Sequence, residues 1–137
     1  MTEHEGPLHP LSRRECLDLL QYHGFVGRLG FLDAGRPMVL PVNYLADDRS
    51  VVFSTHEGSV LGSLAAGVEV VFEVDDSRPL DHSGWSVLVR GTARAVTDPE
   101  EVEALRRGSL RSWAARAPEL WIRIEIEELS GRRLSRR

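Results

Sequence analysis

The stretch FSTHEGSVLGSL, Phe53 to Leu64, carries a β-type run into a glycine turn and then into a segment of helical spacing. Free backbone N–H groups and the positive end of a helix dipole meet at such a junction, which makes it a natural seat for an anion. Its helix would begin at Ser59, Val60 and Leu61, just after Gly58, yet no lysine or arginine lies within the stretch. It is either a phosphate cradle that takes its positive charge from elsewhere or a plain strand-to-helix connection. His56 in the same turn can hydrogen-bond the edge of a ligand or simply face water. Upstream, MVLPVNY sets Pro41 and Asn43 on one strand face. Pro41 cannot donate a ladder hydrogen bond, so this strand is expected at an edge or a bulge, or beside something other than a strand. A buried Asn43 amide needs partners, and either neighbouring backbone or a planar heterocycle with alternating donors and acceptors would supply them. In GWSVLVRGTARA, Trp85 can stack on a flat ligand or fill the core. Arg90 and Arg94 share the opposite face, roughly 13 Å apart along a strand, and meet one long anion, two different ones, or solvent.

These residues need elements to hold them. LSRRECLDLLQ opens with Ser12 and Glu15 at capping-box spacing and sets Cys16, Leu17, Leu19 and Leu20 on one helical face. Cys16 reads as a packing residue, since no histidine accompanies it in a motif. Five β-type runs follow: FVGRLGFL, PMVLPVNYLA, SVVFST, VEVVFEVD and GWSVLVRGTARAV. Between them lie DAGR, DDR, a helix from Ser59 to Ala66 that covers the sheet, and a loop DSRPLDHS. The run MVLPVNY is apolar on both faces and is expected to be buried on both. Asp98 as cap, Pro99 at the first position, Glu101 completing a box and Gly108 as stop predict a second helix. LWIRIEIEEL gives a sixth strand, its apolar face Leu120, Ile122, Ile124 and Ile126 set against Trp121, Arg123 and Glu125. The expectation is one mainly β domain with short flanking helices (α+β), spanning residues 11–134, between a disordered tail 1–10 and a tail 135–137.

A chain of 137 residues, 42% hydrophobic and 28% charged, has globular proportions. No apolar run is long enough to span a bilayer, so no membrane partner is expected. With a net charge of −4 and no basic stripe beyond Arg132, Arg133, Arg136 and Arg137, nucleic acid is not an expected partner either. One cysteine forms no internal disulfide, and MTEHEGPLHP lacks the apolar core of a signal peptide, which predicts cytoplasmic residence. All 17 basic residues are arginine, so Schiff-base chemistry on a lysine amine is excluded. Histidines, cysteine and carboxylates show no metal-ligand spacing, no serine sits in a nucleophile elbow, and the glycines at 24, 27 and 30 are not a dinucleotide fingerprint.

Read in order, GRLGF, GRPMVLPVNY, VVFSTHEGSVL, VVFEVD, GWSVLVRG and SGRRL resemble the pyridoxamine phosphate oxidase-like, FMN-binding split-barrel family, in its small actinobacterial-type branch related to nitroimidazole-resistance proteins. The resemblance runs from Leu11 to Leu134. It implies a six-stranded antiparallel split β-barrel that forms a homodimer, with FMN at the subunit interface and no named catalytic side chain. It sets Leu40, Pro41, Val42 and Asn43 along the flavin ring, Ser54 and Thr55 beneath the ribityl chain, and Gly58, Ser59, Val60 and Leu61 at the phosphate. Trp85 and Ser86 would approach the ring from the same subunit or its partner. Family members commonly carry a lysine where this chain has Val60, so phosphate affinity would rest on backbone N–H groups, Ser59, Thr55 and an arginine such as Arg36, Arg90 or Arg94. The function implied is flavin-dependent oxidoreduction of a small molecule. Deazaflavin is the cofactor alternative within the enzyme class. Outside it stand a flavin- or haem-binding sensor and a split barrel without cofactor.

Overall fold

Local signals near the N-terminus fold as the sequence dictates. The structure, a computed structural model, describes residues 8–108 and 119–134. Helix α1 (Arg13–Tyr22) follows β1 (Leu8–Pro10), and its capping box is complete: Glu15 N–H donates to Ser12 Oγ at 3.1 Å, and Ser12 N–H to Glu15 Oε1 at 2.8 Å. Cys16, Leu17, Leu19 and Leu20 are its buried face, as their spacing requires. Burial pushes the Cys16 thiol up, away from the thiolate, in keeping with a packing role.

The strands then run as β2 (Val26–Asp33), β3 (Arg36–Asn43), β4 (Leu45–Ala46), β5 (Ser50–His56), β6 (Ala66–Arg78), β7 (Ser83–Ala95) and, after helix α2 (Pro99–Arg107), β8 (Glu119–Leu134). A 3-10 helix, Val60–Ala65, connects β5 to β6. One antiparallel sheet has the order β3-β2-β6-β7-β8-β5-β4, with β1 against β8. Its twist brings the outer strands β3 and β5 back into contact without a ladder between them, the split-barrel arrangement. The core lies inside this curl. Leu29, Phe72 and Val89 face one another across β2, β6 and β7, each fully buried, and Tyr44 meets Phe72 edge-on with ring centroids 5.0 Å apart.

Several expectations are corrected. The sheet has eight strands rather than six, because β1 and β4 add pairings of three and two residues. Residues 8–10, expected in the tail, pair with Arg132–Leu134 and cover part of an otherwise free edge of β8. The expected loop 76–83 shrinks to a turn at residues 79–82: β6 and β7 pair out to Arg78↔Ser83, and Asp81 accepts from Ser83 N–H and Oγ. Strand β3 is not buried on both faces. It ends the sheet, and Val39 on its outward side is 62% exposed among the described residues. Strand β8 has more than one apolar face, because α2 lays Val102 and Leu105 over Trp121, Val52 and Val96. Asp98 occupies the cap position of α2 and its carbonyl accepts Val102 N–H, but its side chain makes no capping hydrogen bond, and Glu101 turns instead to Arg123 at 3.5 Å.

Candidate functional site

The cleft begins where a ladder stops. β4 pairs with β5 through Leu45↔Val52 and Ala46↔Val51. Continuing that register by two residues would set Asn43 against Ser54, but β3 and β5 part instead. On β3, Val42 is buried, Pro41 exposed, and Leu40 and Asn43 half-buried; on β5, Ser54 and Thr55 are half-buried. The two strands come into contact without a ladder between them.

The turn at the end of β5 is built from Gly58 and Ser59. Gly58 has φ +87°, a conformation that favours glycine, and the space where its Cβ would stand is open. Ser59 caps the next segment, accepting Gly62 N–H at its Oγ at 3.1 Å, while its hydroxyl shares a 2.8 Å hydrogen bond with Thr55 Oγ1. The expected helix Ser59–Ala66 is shorter and tighter than its spacing suggests. Its six residues form a 3-10 turn that buries Leu64 against the core, so dipole strength is small. Gly62 N–H is spent on Ser59; among the described residues, the N–H groups of Val60 and Leu61 have no internal partner. His56 is exposed at the strand end.

Trp85 and Ser86 stand apart. Trp85 lies opposite Asp76 and Arg133, ten residues along β7 from Ala95, whose row leads through Ile122 to Phe53. That is roughly 30 Å of strand. Trp85 packs beneath α1 with Cys16, Leu19 and Val87, so within one chain it serves the core.

The three arginines are now distinguishable. Arg36 opens β3 at the exposed hairpin, and Arg90 pairs with Glu128 at 3.6 Å on the outward face. Arg94 lies across Gly67, at φ +91°, where a Cβ would stand 2.7 Å from its Nη1. Its cross-strand partner on β8 is Arg123, which is paired with Glu101. Among the described residues neither Arg36 nor Arg94 has a carboxylate partner, and of the two Arg94 is the one held against another strand, at Gly67.

One cluster was not foreseen. Arg28 Nη1 donates to Glu73 Oε1 at 3.1 Å and to Asp75 Oδ1 at 3.2 Å, and Arg28 is the register partner of Pro41. Burial, and then the neighbouring Asp75, push the Glu73 carboxyl up to about 7, against the pull of Arg28. Alternation within VEVVFEVD put Glu73 and Asp75 on one face; their cation came from a strand 45 residues earlier. Trp121 was also missed: its Nε1 is buried with no hydrogen-bond partner among the described residues.

Comparisons with known proteins agree with this architecture. The family described as pyridoxamine 5′-phosphate oxidase matches residues 12–133. An uncharacterized protein of Mycobacterium tuberculosis is 38% identical over 129 residues, spanning 90% of this chain and 84% of its own. The structure of the FAD binding protein from Mycobacterium smegmatis superposes with a TM-score of 0.81 at 36% identity, covering 93% of this chain and 98% of that one. A FAD-binding protein from Mesorhizobium loti gives a TM-score of 0.75 at 26% identity, covering 93% and 99%.

Proposed function

The chain belongs to the pyridoxamine 5′-phosphate oxidase family, and from that premise we propose that it binds a flavin nucleotide, FMN, in the crease where β3 and β5 part. The observation that supports the reading is that β3 and β5 come into contact without a ladder between them, with the open turn at Gly58 following β5. The ring lies along Leu40, Pro41, Val42 and Asn43, the ribityl chain over Ser54 and Thr55, and the phosphate at Gly58, Ser59, Val60 and Leu61. The fit is supported by the open space at Gly58 and by the two unspent N–H groups of Val60 and Leu61. Arg94 is the cation that we assign to the phosphate, since Arg90 is engaged with Glu128. Trp85 and Ser86 reach the ring only from a second copy, because within one chain they lie far along β7.

When bound, the flavin supplies hydride or electron transfer, and the protein supplies position and a shielded pocket. On this reading the chain is a cytoplasmic homodimeric oxidoreductase acting on a small molecule. Pyridoxamine phosphate itself is not the assigned substrate, since its phosphate would want a further basic cluster. A second reading, a flavin-binding protein without catalysis, is favoured by Val60, which stands where a lysine would strengthen the phosphate seat. Titration of the purified chain with FMN, FAD and deazaflavin, read by flavin fluorescence, tests the first reading. Saturable FMN binding that bleaches with a nicotinamide donor supports the enzyme; binding without bleaching supports the second reading; no binding of any of the three overturns both.

A further inference from the structure

Strand β6 starts irregularly. Ala66 pairs with Arg94 of β7 and Val68 with Ala93, so Gly67 between them is the extra residue of a bulge. Its φ is +91°, which glycine adopts freely and other residues do not. A Cβ on Gly67 would stand 2.7 Å from Arg94 Nη1, 3.4 Å from Cζ and 3.9 Å from Nη2. The guanidinium therefore lies across the bare main chain of the bulge, in space that any other side chain would fill. The bulge adjoins the 3-10 turn Val60–Ala65, which ends where Ala66 begins β6 and packs against both β6 and β7.

Charge on this part of the sheet is unevenly placed. The register partner of Arg94 on β8 is Arg123, and like charges directly opposite each other destabilise a ladder. One carboxylate, Glu101 of α2, reaches Arg123 at 3.5 Å. The acids Glu69 and Glu125 lie in the next row, opposite Thr92 and on the side away from the turn. Thr92 itself donates to Glu127 at 2.8 Å. Among the described residues, two guanidiniums at the turn end of the face thus share one carboxylate, which leaves positive charge there for an anion.

We propose that Gly67 is a positioning residue for a phosphate at the turn: its bulge and missing side chain let Arg94 lie toward Val60–Ala65, where the guanidinium completes the seat formed by the N–H groups of Val60 and Leu61. That the phosphate is the flavin's rests on the flavin reading. A 3-10 turn of six residues rises only about 12 Å, and an arginine side chain spans much of that length. A seat without lysine then takes its charge from another strand. Riboflavin has the ring and the ribityl chain but no phosphate, so it gains nothing from Arg94. A Cβ at position 67 meets the far end of a flexible side chain rather than backbone, so in Gly67→Ala the guanidinium swings aside while the sheet stays in place.

Fluorescence titrations of the full chain with FMN and riboflavin test this, beside thermal melts in inorganic phosphate and in chloride at equal ionic strength. Arg94→Gln and Gly67→Ala should each weaken FMN about ten- to hundredfold, as expected for one lost charge-assisted hydrogen bond, and leave riboflavin within about twofold. The double variant should bind FMN no more weakly than Arg94→Gln alone, because both changes remove the same contact. Should Gly67→Ala not fold, Gly67→Asn takes its place, since asparagine tolerates positive φ and carries the same Cβ. Wild-type FMN affinity in Arg94→Gln or in a folded variant at Gly67 would overturn the proposal and leave the flavin reading standing. Equal losses of FMN and riboflavin, or losses that add in the double variant, would overturn it too. A chain that binds neither flavin sinks the flavin reading, and the melts then judge the seat alone. It stands if phosphate raises the wild-type Tm above chloride and raises neither variant's; it falls if the wild type shows no such rise or the variants share it.

Discussion

Replacing Gly58 with valine separates binding from folding at the turn after β5. With φ at +87°, a β-branched residue there costs about 1–3 kcal/mol of backbone strain. No steric term adds to it, because nothing stands within 4 Å of the new Cβ. For a chain of this length each kcal/mol lowers Tm by about 3–4 °C, so the variant should melt about 3–12 °C lower and still be folded at 25 °C. The turn relieves its strain by rotating, which carries the N–H groups of Val60 and Leu61 off a phosphate. Losing one charge-assisted hydrogen bond, about 1.5–3 kcal/mol, weakens FMN binding by about one to two decades. Fluorescence titration at 25 °C reads the affinity, and a thermal melt of the same sample reads the strain. Gly58→Asn, which tolerates positive φ better, should keep most of both. A valine variant that melts as predicted yet binds FMN with wild-type affinity would show that the turn is only a connection.

Tyr44→Phe removes the hydrogen bond from the Tyr44 hydroxyl to Leu20 O at 2.6 Å and should cost about 1–2 kcal/mol in urea unfolding, with binding unchanged. Glu73 sits above its ordinary carboxylate value, so its contribution to stability is present below about 4.5 and is lost as pH rises through about 7. Urea midpoints of the wild type should therefore fall between those values more than those of Glu73→Gln, and parallel curves would remove Glu73 from the account. Gly91→Ala sets a methyl group on the Glu125 carbonyl beside the bulge opposite Arg90 and Gly91; backbone cannot swing aside, so the cost is about 3 kcal/mol, checked by the yield of folded protein and its melt.

What the sequence disclosed of the fold was whatever neighbours in the chain decide. Ser12 and Glu15 sit three residues apart and cap each other, so their box could be read directly. The alternation of Val87, Val89 and Ala93 likewise named the inward face of β7. Errors arose wherever burial depends on what a distant element lays on top. Val39 and Leu40 are both apolar, but only the sheet order reveals that β3 is terminal and that the Val39 side is uncovered. Trp121 alternates with Leu120 and Ile122 as though exposed, and it is buried because α2 crosses it.

The candidate site shows the same division more sharply. Motif order paired PMVLPVNY with VVFSTHEGSVL, but spacing along the chain held no reason why they should meet. The reason is a register: Leu45↔Val52 fixes β4 on β5, and the chain leading into Leu45 comes from β3, which touches β5 without pairing with it. The missing donor of Pro41 and the exposed side of Val39 are then parts of one arrangement, a strand that is satisfied by β2 on one edge and left open on the other. Arg28, Glu73 and Asp75 extend it, since β2 and β6 bring them together within two strands of the crease.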